Sequence, residues 1–231
     1  MSAPELERPA SRLAGVRFGA VARHADERGA FRELWRASAF AAISPEDAGA
    51  ARRDGAGAGP ASRPGGADAG SPAGPGAGET AAAEPGASPR FVQANLSSSA
   101  ASVLRGLHYH QRQLDYWVVA SGRALVALVD VRPLLTGSGP RAVVETRELA
   151  ADEWVVIPVG VAHGFLALEP LELLYLVTNE YDASDELGFA WDDPAVGVPW
   201  PTLPTPDGRP ILSERDRSNP SLAELVASLR Q

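Results

Sequence analysis

Between residues 91 and 178 the chain is a series of short apolar or alternating segments separated by turn-forming residues. Alternation with a period of two is the pattern of strands that bury one face. Many short strands at even spacing, without intervening helical segments, favour an antiparallel sandwich or barrel. The predicted strands are residues 91–95, 103–110, 116–120, 124–130, 142–148, 154–157, 164–168 and 171–178, with weaker signals at 13–18 and 31–35.

A low-complexity segment interrupts this pattern. Residues 49–89 are mainly Gly, Ala, Pro and Ser and contain no aromatic or large aliphatic residue. Such a segment cannot bury enough apolar surface to offset the entropy lost on ordering. The sequence therefore predicts one domain over residues 1–231 with a disordered insertion at 49–89; a binding tail is the alternative.

The C-terminal residues 219–230 have the pattern of a helix. Asn219 is a suitable N-cap and Pro220 suits the first helical position. The apolar stripe that this helix would bury consists of Leu222, Leu225, Val226 and Leu229.

Composition excludes several classes of function. The formal net charge of -8 disfavours nucleic-acid partners. The absence of cysteine excludes disulfides and thiolate metal sites, which leaves histidine and carboxylate as metal ligands. The N-terminal residues lack the apolar stretch of a signal peptide, and no apolar run could span a bilayer, so a cytoplasmic protein without membrane partners is expected.

Three of the four histidines lie in two short motifs. His108 and His110 are two residues apart, which places both on one face of a strand. Asp115 follows a polar turn and can return beside them, whereas His163 follows the turn formed by Pro158 and Gly160. Solvated edge residues, or a buried His163 bonded to the backbone, are the simpler interpretations.

The spacing of these motifs resembles the two-part pattern of the cupin superfamily. That resemblance implies a mainly β cupin jelly-roll barrel, an antiparallel double sheet with a short C-terminal helix. In metal-binding cupins three histidines and one carboxylate hold a divalent ion, here His108, His110, Asp115 and His163. Such a donor set suits Fe, Mn, Ni or Zn.

A more specific resemblance covers nearly the whole chain outside the insertion. Seven short motifs occur in the order found in dTDP-4-dehydrorhamnose 3,5-epimerases. The resemblance implies a homodimer that epimerises a nucleotide-linked 4-keto-6-deoxyhexose at C3, C5 or both, without a cofactor. The motifs are Asp26-Glu27-Arg28-Gly29-x-Phe31, Phe91-Val92-Gln93-x-Asn95, Val103 to Tyr109, Ile157-Pro158 with Ala162 to Phe165, Trp191 to Pro194, Gly197 with Trp200-Pro201, and Leu212-Ser213-x-x-Asp216.

The same resemblance implies roles for individual residues. His108 would be the base, oriented by Asp216, and Tyr175 would be the acid on the opposite face of the sugar. Arg105 would contact the pyrophosphate. The other substrate-binding residues would be Gln93, Asn95 and His163, with Tyr181 near the nucleobase and Arg28 reaching across the dimer.

Two positions depart from the family pattern. Asp115 stands where the family has a lysine that supports the developing enolate, and His110 stands where it usually has glutamine. Three interpretations follow: a catalytically silent sugar-nucleotide binding protein, an epimerase in which a metal on His110, Asp115 and His163 supplies the missing charge, or a metal-dependent cupin dioxygenase or isomerase. If Asp115 were exposed or paired with Arg112, no metal would bind.

Overall fold

The computed structural model describes residues 10–37 and 90–230, which contain twelve strands and three helices. The insertion predicted at residues 49–89 lies outside the described residues. The strands are β1 (Arg17–Ala20), β2 (Arg23–Asp26), β3 (Gly29–Arg32), β4 (Gln93–Ser99), β5 (Leu104–Tyr109), β6 (Asp115–Ser121), β7 (Arg123–Asp130), β8 (Val143–Ala150), β9 (Glu153–Ile157), β10 (Val161–Ala167), β11 (Leu171–Val177) and β12 (Leu187–Gly188). The helices are α1 (Arg132–Thr136), α2 (Glu214–Ser218) and α3 (Leu222–Leu229).

Two five-stranded antiparallel sheets form the barrel. The first has the strand order β1-β9-β6-β11-β4 and the second the order β12-β5-β10-β7-β8, while β2 and β3 form a separate hairpin. One buried cluster draws residues from both sheets, including Trp117 and Leu173 from the first and Val126 and Phe165 from the second. The sheets therefore pack face to face, which confirms the predicted antiparallel double-sheet jelly roll.

The strand alternation decides which side chains enter the barrel. On β6, Trp117 and Val119 belong to the central cluster, whereas Tyr116 and Val118 belong to a different cluster on the outer face. Because side chains alternate along a strand, Asp115 shares the inner face with Trp117. The first residue of β6 therefore directs a carboxylate toward the barrel interior.

All the strands predicted between residues 91 and 178 are present, with ends shifted by a few residues. The two weaker N-terminal predictions are less accurate. Leu13 and Val16 are buried core residues that precede β1, which begins only at Arg17. The strand predicted at 31–35 corresponds to β3, which already ends at Arg32. β3 pairs with β2, a strand that the sequence did not indicate.

The C-terminal helix is shorter than the predicted 219–230. Helix α3 begins after Ser221, whose side chain accepts from the Glu224 amide while the Glu224 carboxylate accepts from the Ser221 amide. The prediction that Asn219 caps the helix is therefore wrong. The residue before a proline avoids the helical conformation, and the capping box then fixes the start after Pro220.

The predicted apolar stripe of α3 packs on the outer face of the second sheet. Leu222, Leu225 and Val226 are buried against a cluster that includes Leu107 and Phe189. Within the described part of the chain, no helix is long and apolar enough to cross a membrane.

Removing the centre of this stripe is expected to destabilise the protein. Leu225 is 4% exposed, so Leu225→Ala should lower the free energy of unfolding by about 2–5 kcal/mol through lost burial and the remaining cavity. Leu229→Ala, at the partly exposed end of the same helix, is the matched control and should cost less. A loss for Leu225→Ala in urea denaturation no larger than that for Leu229→Ala would contradict the burial of Leu225 in the core.

Candidate active site

A histidine–carboxylate pair joins β5 to helix α2. The Nε2 atom of His108 lies 2.8 Å from Oδ1 of Asp216. Asp216 is buried, and its other oxygen accepts a hydrogen bond of 3.0 Å from the Ser213 hydroxyl. Ser213 also caps α2 by accepting from the Asp216 amide. One serine thus fixes both the helix start and the carboxylate that orients His108.

Charge and hydrogen bonding define the protonation of this pair. Burial acts to raise the pKa of Asp216, but the hydrogen bond and charge of His108, together with Ser213 and Arg215, hold the pKa below its ordinary value. An ionised carboxylate can only accept, so Nε2 of His108 carries a proton. The Nδ1 atom is then the nitrogen that can accept a proton from a substrate.

A bulge in β5 places Arg105 on the same face as His108. His163 on β10 pairs with His108, and Phe165 pairs with Arg105, so β5 contains one extra residue between the two pairs. The extra residue fits at Gly106, whose φ is +130° and where an added Cβ would lie 2.6 Å from the Gly164 Cα. The inward direction of Phe165 therefore applies to Arg105 as well.

Arg105 is exposed in the single chain and has no ion pair to any carboxylate of the described residues. Its Nε donates to the Ser99 hydroxyl at 3.2 Å, and one Nη contacts the Ser98 carbonyl at 3.4 Å. Both partners are neutral, so the charge of this arginine is available to an anion.

Tyr175 lies on β11, in the sheet opposite His108. Its ring packs against the central cluster, and its neighbours across the sheet are Asn95 on β4 and Trp117 on β6. Burial raises the pKa of Tyr175, the negative charges of Asp115 and Glu186 add to this, and Arg105 opposes them. The phenol consequently retains its proton at neutral pH and can act as an acid.

The inner face of edge strand β4 is polar. The Gln93 amide donates to Asn95 at 2.9 Å, and the Gln93 oxygen accepts from the Tyr181 amide at 2.9 Å. Sequence reasoning missed Ser97 and Ser99, which continue this stripe with the same period of two. The alternation of polar residues along β4 is the sequence pattern that could have identified these two serines.

Asp115 is buried, which excludes the alternative in which it is exposed or paired with Arg112. It is 3% exposed and accepts from the Gln113 amide at 2.8 Å and from the Trp117 indole at 3.0 Å. Arg112 instead contacts Asp182 at 2.6 Å. Asp115 is buried because it lies on the same face of β6 as Trp117, which points into the core.

Asp115 converges with two of the three motif histidines. Ligand atoms of His110, Asp115 and His163 all lie within 4.8 Å of one another. His108, the fourth residue of the alternative ligand set, is not among these converging residues, and its Nε2 contacts Asp216 instead. Burial lowers the pKa of His163 to about 4 although Asp115 opposes the shift, so this imidazole is neutral at physiological pH.

Two predicted substrate contacts are exposed in the single chain. Tyr181 is 68% exposed beside Gln93. Arg28 lies in the β2–β3 turn with an 85% exposed side chain and pairs with Asp26 at 2.5 Å. Arg28 has no hydrogen bond to the site residues of its own chain among those the structure describes.

The fold and the site define a jelly-roll protein with a histidine–carboxylate pair on one sheet and a protonated tyrosine on the facing sheet. Comparison with known proteins identifies the family within this class. The model of the family described as dTDP-4-dehydrorhamnose 3,5-epimerase matches residues 78–224. The chain belongs to this family.

Individual relatives agree with the assignment. The chain is 37% identical over 145 residues to the dTDP-4-dehydrorhamnose 3,5-epimerase of Sinorhizobium fredii, covering 60% of this chain and 71% of that one. It matches the crystal structure of NovW, a 4-keto-6-deoxy sugar epimerase from Streptomyces spheroides, with a TM-score of 0.67 and 26% identity over 96% of this chain and 90% of that one. The rmlC epimerase of Mycobacterium tuberculosis matches with a TM-score of 0.65 and 27% identity, over 95% and 90% of the two chains.

The role of Ser213 as the cap of α2, the helix that carries Asp216, can be tested by substitution. Ser213→Ala removes the helix cap and should lower the free energy of unfolding by about 0.5–2 kcal/mol. Ser213→Thr keeps the hydroxyl and should recover most of this loss in the same urea titration. Equal destabilisation by both variants would contradict the capping role.

Proposed function

We propose that this protein epimerises a nucleotide-linked 4-keto-6-deoxyhexose of the dTDP type at C3, C5 or both. The observation that carries the proposal is the His108–Asp216 pair facing Tyr175 across the barrel in a chain of this epimerase family. The chain is similar to a dTDP-4-dehydrorhamnose 3,5-epimerase and to NovW, a 4-keto-6-deoxy sugar epimerase, and the substrates of these proteins indicate the ligand class.

The chemistry follows from the acidity of carbon next to a ketone. Nδ1 of His108 removes the proton, and the electron pair of the broken C–H bond moves toward the ketone oxygen. Tyr175 returns a proton from the opposite sheet, which inverts the carbon. Asp216 acts through His108, because it holds the tautomer and stabilises the imidazolium that forms. No organic cofactor takes part in these steps.

Ligand binding would use the polar residues around this pair. The Arg105 cation suits the pyrophosphate, since guanidinium groups contact phosphate oxygens in pairs. Gln93 and Asn95 offer amide groups on the inner face of β4, and His163 adds an imidazole. Tyr181 at the rim suits stacking on the nucleobase.

We further propose a homodimer that works in the cytoplasm. Phe31, Val92 and Leu96 are large apolar residues exposed on the single chain, at 68%, 47% and 62% respectively. Covering them with a second copy would remove apolar surface from water. The projecting β2–β3 hairpin would then bring Arg28 to the partner's nucleotide.

Deuterium exchange tests the base. His108→Asn should abolish incorporation of deuterium at C3 and C5 of dTDP-4-keto-6-deoxyglucose in heavy water, because no group remains to remove the proton. Asp216→Asn should slow exchange less, since the imidazole stays but loses its orienting charge. Mass spectrometry measures the exchange, and His24→Gln, an exposed histidine on β2, is the control.

Ligand binding separates the competing outcomes of that experiment. Calorimetry with dTDP should give similar affinity for wild type and His108→Asn. Binding without exchange in the wild type would identify a silent sugar-nucleotide binding protein, and wild-type exchange rates in His108→Asn would remove this histidine from the mechanism.

Nucleotide affinity tests Arg105 independently. Arg105→Ala should weaken dTDP binding by about 1.5–3 kcal/mol, the value of a hydrogen bond to a charged group. Arg105→Lys retains the charge and should lose less. Arg123→Ala removes an exposed arginine that is paired with Glu148 and should leave the affinity unchanged. An unchanged dissociation constant in Arg105→Ala would exclude the pyrophosphate contact.

A further inference from the structure

Two imidazoles and one carboxylate converge in the barrel interior, beside the His108–Asp216 pair. His110, Asp115 and His163 are all buried, and their ligand atoms lie within 4.8 Å of one another. We infer that these three residues bind one divalent transition-metal cation.

The protons of both imidazoles point away from the cluster. Nδ1 of His110 lies 2.8 Å from the Asp185 carbonyl, and Nδ1 of His163 lies 3.1 Å from the Val161 carbonyl. A carbonyl oxygen can only accept, so each Nδ1 carries a proton. In a neutral ring the Nε2 atom then presents a lone pair, which is the state of an imidazole that binds a metal.

The lone pairs face negatively charged oxygen rather than donors. Nε2 of His163 lies 3.6 Å from Oδ2 of Asp115, and Nε2 of His110 lies 3.9 Å from an oxygen of Glu186. Two acceptors at such a distance repel each other unless a cation or proton lies between them. A single proton could bridge His163 and Asp115, but a cation can be shared by all three converging groups.

The carboxylate is held in place by neutral donors. Gln113 donates to Oδ1 of Asp115, and the Trp117 indole donates to Oδ2. Each carboxylate oxygen has two lone pairs, so both oxygens can still bind a cation. Hydrogen bonds of this kind orient metal ligands in characterised sites.

No ion pair to a cation compensates Asp115 in the part of the chain that the structure describes. A buried carboxylate is costly unless it is paired with a cation or bound to a metal. Among the described residues, no arginine lies within ion-pair distance of Asp115. The chain contains no lysine at any position, so another lysine cannot have taken the role of the one that Asp115 replaces.

The donor set indicates the class of cation. Two imidazoles and one carboxylate suit Zn²⁺, Fe²⁺, Mn²⁺ or Ni²⁺, whereas Mg²⁺ and Ca²⁺ prefer oxygen ligands. Three protein ligands also leave a position open for a ligand oxygen. If the proposed function holds, on which this step rests, the cation would supply near the sugar ketone the positive charge that the family obtains from lysine.

Direct binding is the first experiment. The full-length protein, stripped with a chelator, is titrated with Zn²⁺ by calorimetry. We expect one site, with affinity lowered in His110→Gln and in Asp115→Asn by more than the roughly 10- to 100-fold that loss of a partner orienting a ligand costs. His24→Gln and Asp192→Asn remove an exposed histidine and an exposed carboxylate and should bind as wild type does.

The variants are chosen to remain folded. His110→Gln introduces the residue usual in the family, and Asp115→Asn keeps an acceptor for Trp117. Circular dichroism checks the fold, and Zn²⁺ should raise the melting temperature of the wild type but not of these two variants. Absence of a wild-type site, or equal affinity in His110→Gln and Asp115→Asn, would overturn the inference.

Proton exchange separates this inference from the proposed function. The double variant His110→Gln/Asp115→Lys restores both family residues. We expect a chelator to suppress deuterium exchange in the wild type and to leave exchange by the double variant unchanged. Zn²⁺ binding without exchange in either protein would reject the function and keep the site, whereas wild-type exchange without Zn²⁺ binding would reject the site and keep the function.

Discussion

The face-to-face packing of two antiparallel sheets places the inward-facing residues of β4, β6 and β11 around the site. The alternation that buries Trp117 on β6 also turns Asp115 inward, and the same period on β11 and β4 turns Tyr175 and Asn95 toward the interior. Polar groups in such a position must be satisfied by partners or by a ligand. The interior of this barrel is therefore apolar at its centre and polar where β5, β6 and β10 converge.

Burial gives the titratable groups different protonation states. His163 is neutral because desolvation lowers its pKa, and Tyr175 keeps its proton because desolvation raises the pKa of a phenol. Asp216 stays ionised despite burial, since His108 and Ser213 stabilise its charge. A protonated phenol and an imidazole oriented by a carboxylate thus lie on opposite sheets, which is the arrangement that the proposed inversion at carbon requires.

The two departures from the family pattern, Asp115 and His110, can be explained together. Asp115 alone would introduce an uncompensated carboxylate near a developing enolate. His110 contributes a second imidazole beside His163, with their ring centroids 5.3 Å apart, so the two replacements build one cluster of donors. If a metal cation bound by these side chains takes the place of the family's lysine, the local charge stays positive.

The sequence by itself determined the β architecture, the apolar stripe of the last helix and the motifs that contain His108 and Asp216, because these depend on local periodicity and residue order. Tertiary structure decided the rest. Only the packing of α2 on β5 brings Asp216 to His108, and only the bulge at Gly106 puts Arg105 on the same face of β5 as His108. The burial of Asp115 and the proton positions of the histidines depend on contacts between residues far apart in the chain, which local sequence patterns do not specify.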